Sequence, residues 1–186
     1  EANRARVNGL IHAPNTLFIG SNEEEAVALL CQQTLSKDKL TAQAQIDDAC
    51  NKMQEILKEK AAKLPEGSVE PVAFISNGVK GVYAITSSII TFVPGKKNPN
   101  LANNIGAGDG LFGGSLVDYI KRVMRPEEGV APITTFSEEQ LHEMFTLGQA
   151  VAHEVVRLRR GGTVQRDDVA LGEERLQRGN EGRATL

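Results

Sequence analysis

The residues whose types and spacing suit chemistry best are Asn103-Asn104-Ile105-Gly106-Ala107-Gly108-Asp109-Gly110-Leu111-Phe112-Gly113-Gly114. Glycines let backbone N–H groups turn inward without a clashing Cβ. Where such a run opens a helix, the unpaired N–H groups and the helix dipole attract an anion. Asp109, set beside that cradle, would be repelled by a phosphate unless it had a task there, and accepting a proton from an attacking hydroxyl is such a task. The local chemistry is phosphoryl transfer. A tight loop with a helix-capping Asp fits the same residues on chemistry alone. The spacing does not match G-x-G-x-x-G, since position 111 is Leu, and no Lys-Ser/Thr follows as in a P-loop.

The elements that must position this stretch can be read on either side of it. The chain has 186 residues, enough for one core without staples, and its 40% hydrophobic and 24% charged content is that of a globular protein. A net charge of −3 argues against general nucleic-acid binding. Cys31 and Cys50 have no metal-ligand spacing and no secretory segment precedes them, which points to a reducing intracellular setting, with the cytoplasm expected and an organelle left open. No apolar run reaches the ~20 residues of a membrane span.

Residues 1–12 read as the tail of a helix. Thr16-Leu17-Phe18-Ile19 reads as a buried strand, followed by a turn at Gly20-Ser21. Asn22 can cap a helix whose first turn holds Glu23, Glu24 and Glu25. From Thr41 to Leu64 apolar residues recur at three- and four-residue steps, with a charged opposite face. Val72-Ala73-Phe74-Ile75 is a second buried-strand pattern ending at Ser76-Asn77-Gly78-Val79-Lys80-Gly81. Val82–Ile85 and Ile89–Val93 then read as an antiparallel pair. After Asp109 a helix runs to Met124, and the bare Gly113-Gly114 pair is expected to let it lie close on the sheet. Ser137 and Gln140 form a capping box, and Phe136 and Leu141 a hydrophobic staple, for a last helix ending near Arg157, Arg159 and Arg160. His12, His142 and His153 are scattered and suggest neither a triad nor a zinc site. Residues 166–186 read as a polar tail.

Three of these stretches together resemble the motifs of the ribokinase-like (PfkB) carbohydrate and nucleoside kinases. Asn22-Glu23-Glu24-Glu25 is similar to the N-x-x-E motif, Ser76-Asn77-Gly78-Val79-Lys80-Gly81 to the Thr/Ser-x-Gly-x-x-Gly strand end, and Gly106-Ala107-Gly108-Asp109 to the G-A-G-D signature, in the family's order. Phe18–Ala26 and the basic ending Val155–Gly162 resemble the adenosine kinase branch most. The resemblance covers roughly residues 5 to 165, and taken as one unit 1–165 it implies the C-terminal, nucleotide-binding portion of a three-layer α/β/α sandwich with a mostly parallel sheet.

For individual residues, the resemblance implies Asp109 as the catalytic base and the N–H groups of Gly106, Ala107 and Gly108 as an anion hole. Ser76, Gly78 and Gly81 would contact the nucleotide, with the helix around Gln149 bordering the adenine. Glu25, with Asn22, would orient a water-coordinated Mg²⁺ on ATP, so that pair is both a helix cap and a candidate metal site. Asn103-Asn104 stand where the family has Asp-Thr, whose Asp helps bind a monovalent cation, so no potassium activation is implied. The implied acceptor is the hydroxyl of a sugar or nucleoside, with no nucleic acid and no membrane as partner. The family's sugar-binding part and lid have no counterpart here, which implies a missing N-terminal part or partner subunits. A catalytically silent subunit in a larger assembly is the alternative role.

Overall fold

The computed structural model describes residues 9–13, 15–95, 106–124 and 133–158. The expected polar tail over 166–186, the Asn103-Asn104 pair and the arginines at 159 and 160 lie outside them. Four strands form one sheet in the order β1 (Phe18–Asn22), β2 (Val72–Ser76), β3 (Gly81–Ile85) and β4 (Ile90–Pro94). Helix α1 (Glu23–Ala26) continues as a π-helical turn over Val27–Cys31, followed by α2 (Lys39–Ala61), α3 (Ala107–Met124) and α4 (Glu138–Leu158).

Side chains alternate across the sheet, so β1, β2 and β3 contribute to two cores, whereas β4 buries one face and exposes Ile90 and Phe92 on the other. Ile19, Ala73, Ile75 and Ile85 face α2, where Ile46, Ala49, Cys50, Met53 and Leu57 meet them. Val72, Phe74, Val82, Ala84 and Val93 face the opposite way, onto Leu111, Tyr119, Leu141, Met144 and Phe145 of α3 and α4. The three-layer α/β/α arrangement expected from the sequence is present.

Two details differ from the expectation. The strand foreseen at 16–19 lies at Phe18–Asn22, because Thr16 turns back to donate its hydroxyl to the Leu10 carbonyl at 2.8 Å while pairing with β2 continues through Asn22. Gly20 is thus part of a strand rather than a turn, and a Cβ there would strike the Phe74 ring. The sheet is also mixed rather than mostly parallel among the described residues: β1 and β2 pair in parallel and β3–β4 are antiparallel as expected, but β2–β3 are antiparallel as well. The 3₁₀ turn Gly78–Lys80 between β2 and β3 is too short for the crossover that a parallel pair needs.

The α3–α4 contact also differs from expectation. Gly113 and Gly114 were expected to bring α3 down onto the sheet. Instead Gly110 and Gly114 bring α3 against α4: a Cβ at Gly110 would sit 2.9 Å from the Ala152 Cα, and one at Gly114 2.9 Å from the Gly148 Cα. Gly148 completes the seam from α4, where a Cβ would lie 2.7 Å from the Leu111 carbonyl oxygen. Gly113 has open space around it.

Start signals behave as the sequence indicates. Asn22 Oδ1 accepts from the Glu25 N–H at 2.8 Å while Glu25 Oε2 accepts from the Asn22 N–H at 3.1 Å. Ser137 and Gln140 make the same reciprocal pair at 3.2 and 2.9 Å, and Phe136 and Leu141 are both buried beside it. Asp38 caps α2 through the Thr41 N–H at 2.9 Å. Buried Glu70 fixes the segment before α4: its carboxylate accepts from the Phe136 N–H at 2.7 Å and the Ser87 hydroxyl at 2.9 Å, and its own N–H donates to the Thr134 carbonyl at 2.8 Å.

Candidate functional site

The C-terminal ends of parallel β1 and β2 lie side by side, with Asn22 and Ser76 as Cα partners, at the sheet edge where open α/β folds place their ligands. Beyond Ser76 the chain turns tightly through Gly78, at φ +52°, and re-enters the sheet at Gly81, at φ +141°, both in backbone regions that favour glycine. Gly81 allows the turn to close on the strand opposite, since a Cβ there would lie 2.7 Å from the Gly95 N.

This turn, α3 and α4 enclose a cavity of about 300 Å³. Ser76, Gly78, Val79, Gly81, Val82 and Gly95 line it from the sheet side; Ala107, Gly108 and Leu111 line it from the start of α3; Gln149, Ala152, His153 and Val156 line it from α4. The walls are mainly apolar with a few polar groups, the usual make-up of a small-molecule site.

One end of the cavity is the opening turn of α3. Gly106 has φ +79°, and the Gly110 N–H donates to its carbonyl at 2.9 Å, so the N–H groups of residues 107 to 109 precede the first intrahelical bond and are available to an anion. Asp109 is exposed in that turn. Gly108 is also exposed, and a Cβ there would meet nothing within 4 Å.

Of the residues expected to bind nucleotide, Ser76, Gly78, Gly81 and Gln149 converge on the cavity with Ala107 and Gly108. Gln149 is anchored as well, its Nε2 donating to the Val93 carbonyl at 3.3 Å. Gly106 and Asp109 flank the cavity without lining it. Asn22 and Glu25 stand one strand away at the start of α1, where the capping box engages Asn22 Oδ1 and one Glu25 oxygen. Among the described residues no group of three or more His, Cys, Asp or Glu side chains is placed to hold a metal.

The sequence reading missed Val79, Val82, Leu111, His153 and Val156 as lining residues. The α4 contribution did carry a signal: Gln149, Ala152, His153 and Val156 follow one helical face at steps of three, one and three residues.

The sequence matches no family model and no curated protein. Its structure does match solved ones. It overlays a probable sugar kinase from Rhizobium etli with a TM-score of 0.61 at 16% identity, covering 92% of this chain and 39% of that one. An adenosine kinase from Sinorhizobium meliloti gives 0.61 at 17% identity, over 93% and 40% of the two chains. The chain has a ribokinase-like fold. Ribokinase from Thermotoga maritima matches with a TM-score of 0.53 at 21% identity, over 85% of this chain and 42% of that one. This ribokinase-like chain therefore spans about two fifths of the length of these neighbours. No helix among the described residues is long and apolar enough to cross a membrane.

Proposed function

We propose that the chain is the nucleotide-binding part of a phosphotransferase that moves the γ-phosphoryl group of ATP to a sugar or nucleoside hydroxyl, in the manner of an adenosine kinase. The observation that carries this reading is the juxtaposition of an apolar cavity with the bare first turn of α3. A flat base suits the space between Val82, Leu111, Ala152 and Val156, and Gln149 can offer such a base its carboxamide oxygen. The phosphate chain would then run toward the N–H groups of Gly106, Ala107 and Gly108, which stabilise charge as it develops on the transferring group. Asp109, next in that turn, would accept the proton of the acceptor hydroxyl as the oxygen attacks phosphorus.

Magnesium would neutralise charge on the phosphates. Its preference for oxygen ligands and retained water suits Glu25, whose second oxygen is not used by the capping box, with Asn22 beside it.

Titrating the chain with Mg-ATP tests the reading. Saturable binding is expected, and Gly108→Leu should weaken it at least tenfold with the far-ultraviolet circular dichroism unchanged, because the new side chain has room in the fold but occupies the approach to the cradle. Equal affinity in the variant, or no binding by the unaltered chain, would remove the proposal. A catalytically silent, nucleotide-binding subunit is the second reading. Turnover of any sugar or nucleoside by the natively isolated protein would eliminate it.

A further inference from the structure

Three of the side chains that line the cavity are polar: Ser76, Gln149 and His153. They differ in what they can tell apart. A serine hydroxyl rotates to donate or accept, and an imidazole exchanges tautomers, so Ser76 and His153 can each meet either an amino group or a carbonyl. A carboxamide has one donor end and one acceptor end, and it discriminates only where its surroundings fix which end is which.

Gln149 is fixed in this way. Its main chain belongs to the part of α4 that lies against α3: a Cβ added to the preceding Gly148 would sit 2.7 Å from the Leu111 carbonyl oxygen. The residue is only 8% exposed, and its Nε2 donates to the Val93 carbonyl at 3.3 Å. That bond is long, and its importance is orientation. Reversing the carboxamide would bring Oε1 against the Val93 oxygen, two acceptors opposed in a buried place, which costs free energy that no new bond offsets. Val93 does not depend on Gln149 in return. The Thr86 N–H to Ile89 and Gly95 N–H to Lys80 bonds fix the alternation of the β3–β4 ladder, in which Val82 and Val93 form a hydrogen-bonded pair. Oε1 is therefore the end of Gln149 left for a ligand, and it is an acceptor. Val82, Leu111, Ala152 and Val156 line the same space with apolar surface, where an opposed pair of oxygens is poorly screened.

We infer that Gln149 is the specificity-determining residue of the cavity, and that it selects a nucleotide whose base carries an exocyclic amino group over one with a carbonyl in the same place. This inference rests on the nucleotide-binding reading of the cavity and extends it to the choice of base. An amino group donates to Oε1. An oxo group at that position sets oxygen against oxygen, and the carboxamide cannot turn to relieve the contact without giving up its bond to Val93. A missing bond and a repulsive contact then act in the same direction, which discriminates more strongly than an absent bond alone.

The test titrates the full 186-residue chain with Mg-ATP and Mg-ITP, whose purines carry an amino and an oxo group, respectively, at position 6. ATP is expected to bind at least tenfold more tightly. Gln149→Met keeps the length of the side chain and removes both polar ends. It should weaken ATP binding, spare ITP binding and bring the two affinities within about twofold of each other, whereas a loss of packing alone would weaken both alike. A preference for ATP that persists undiminished in this variant would overturn the assignment. A second measurement needs no substitution: in the unaltered chain, purine riboside triphosphate, with only hydrogen at position 6, should bind more weakly than ATP and more tightly than ITP. Saturable binding of all three nucleotides with equal affinity would overturn this inference alone. Binding of none of them would overturn it together with the nucleotide-binding reading.

Discussion

Asn22 and Ser76 are Cα partners at the last rung of the parallel β1–β2 ladder, which places the capping box of α1 directly beside the cavity edge. A helix-capping residue and a ligand-lining residue are thus neighbours in space although 54 positions apart in sequence. The two roles of this corner can be separated. Asn22→Ala should cost about 1 kcal/mol of stability through the lost cap, as read by urea denaturation. Glu25→Gln keeps an oxygen for the Asn22 N–H and removes the charge. If Glu25 serves Mg-ATP, this variant should lower affinity for Mg-ATP several-fold at unchanged stability; unchanged affinity would leave Glu25 as a cap alone.

Asp109→Asn separates chemistry from binding. In the natively isolated protein it should lower turnover by about 10²- to 10⁴-fold, the usual contribution of a general base, while ATP affinity stays within a few-fold. Turnover at the unaltered rate would exclude Asp109 as the base.

The seam between α3 and α4 tolerates no added methyl group. Gly148→Ala would press a Cβ against the Leu111 carbonyl and the Ser115 hydroxyl, and should destabilise the chain by about 1–3 kcal/mol. Gly113→Ala, in open space on the same helix, should raise stability by up to about 1 kcal/mol. Denaturation midpoints of the two variants should therefore move in opposite directions.

Tyr119 buries its hydroxyl with no hydrogen-bond partner among the described residues, and burial, with the charge of Glu70, pushes its phenol up to about 12. Tyr119→Phe should leave stability unchanged or raise it by up to about 1 kcal/mol, because an unpaired buried hydroxyl costs free energy. Urea denaturation showing a loss above about 1 kcal/mol would reveal a bond that the hydroxyl makes. Glu70→Ala should behave oppositely, leaving the Phe136 N–H buried without its acceptor at a cost of about 2 kcal/mol.

Alkaline pH should weaken the fold. Burial raises the Cys50 thiol from 9.0 to about 12, so the folded state favours the neutral form. Its contribution is complete below the unfolded value near pH 9 and disappears as pH rises toward 12. Tyr119, raised from 10.0 to about 12, acts in the same direction over the upper part of that window. Denaturation at pH 8 and pH 10.5 should show lower stability at the higher pH, with part of the difference absent in Cys50→Ala. Iodoacetamide should label Cys50 only on unfolding.

Much of this was legible in the chain because local signals carried it. The Ser137 and Gln140 box, the Asn22 cap and the strand at Val72–Ser76 depend on residues within a few positions of one another, and each is present. The glycines of Ser76–Gly81 and Gly106–Gly108 were recognisable through their resemblance to a family's motifs, since a tight capped loop suits the second stretch equally well on chemistry alone. What the chain concealed depends on distant partners. Gly148 looks like a weakness in a helix until Gly114 is seen against it, and the offset of β1 follows from its register with β2 some fifty residues away. The antiparallel pairing of β2 with β3 could have been inferred as that of β3 with β4 was, since three residues at Gly78–Lys80 cannot span a crossover.

The backbone contact of Gly110 with Ala152 and of Gly114 with Gly148 has a further consequence for the cavity. At these points backbone approaches backbone, with the Val151, Val155 and Ser115 side chains packed beside the contact, so the two helices are clamped as one body. The distance from the α4 wall at Gln149 and Val156 to the first turn of α3 is therefore set by main chain, like the jaws of a fixed gauge. A ligand spanning that gap must bring the right length itself, and point changes in the lining will alter grip more readily than reach.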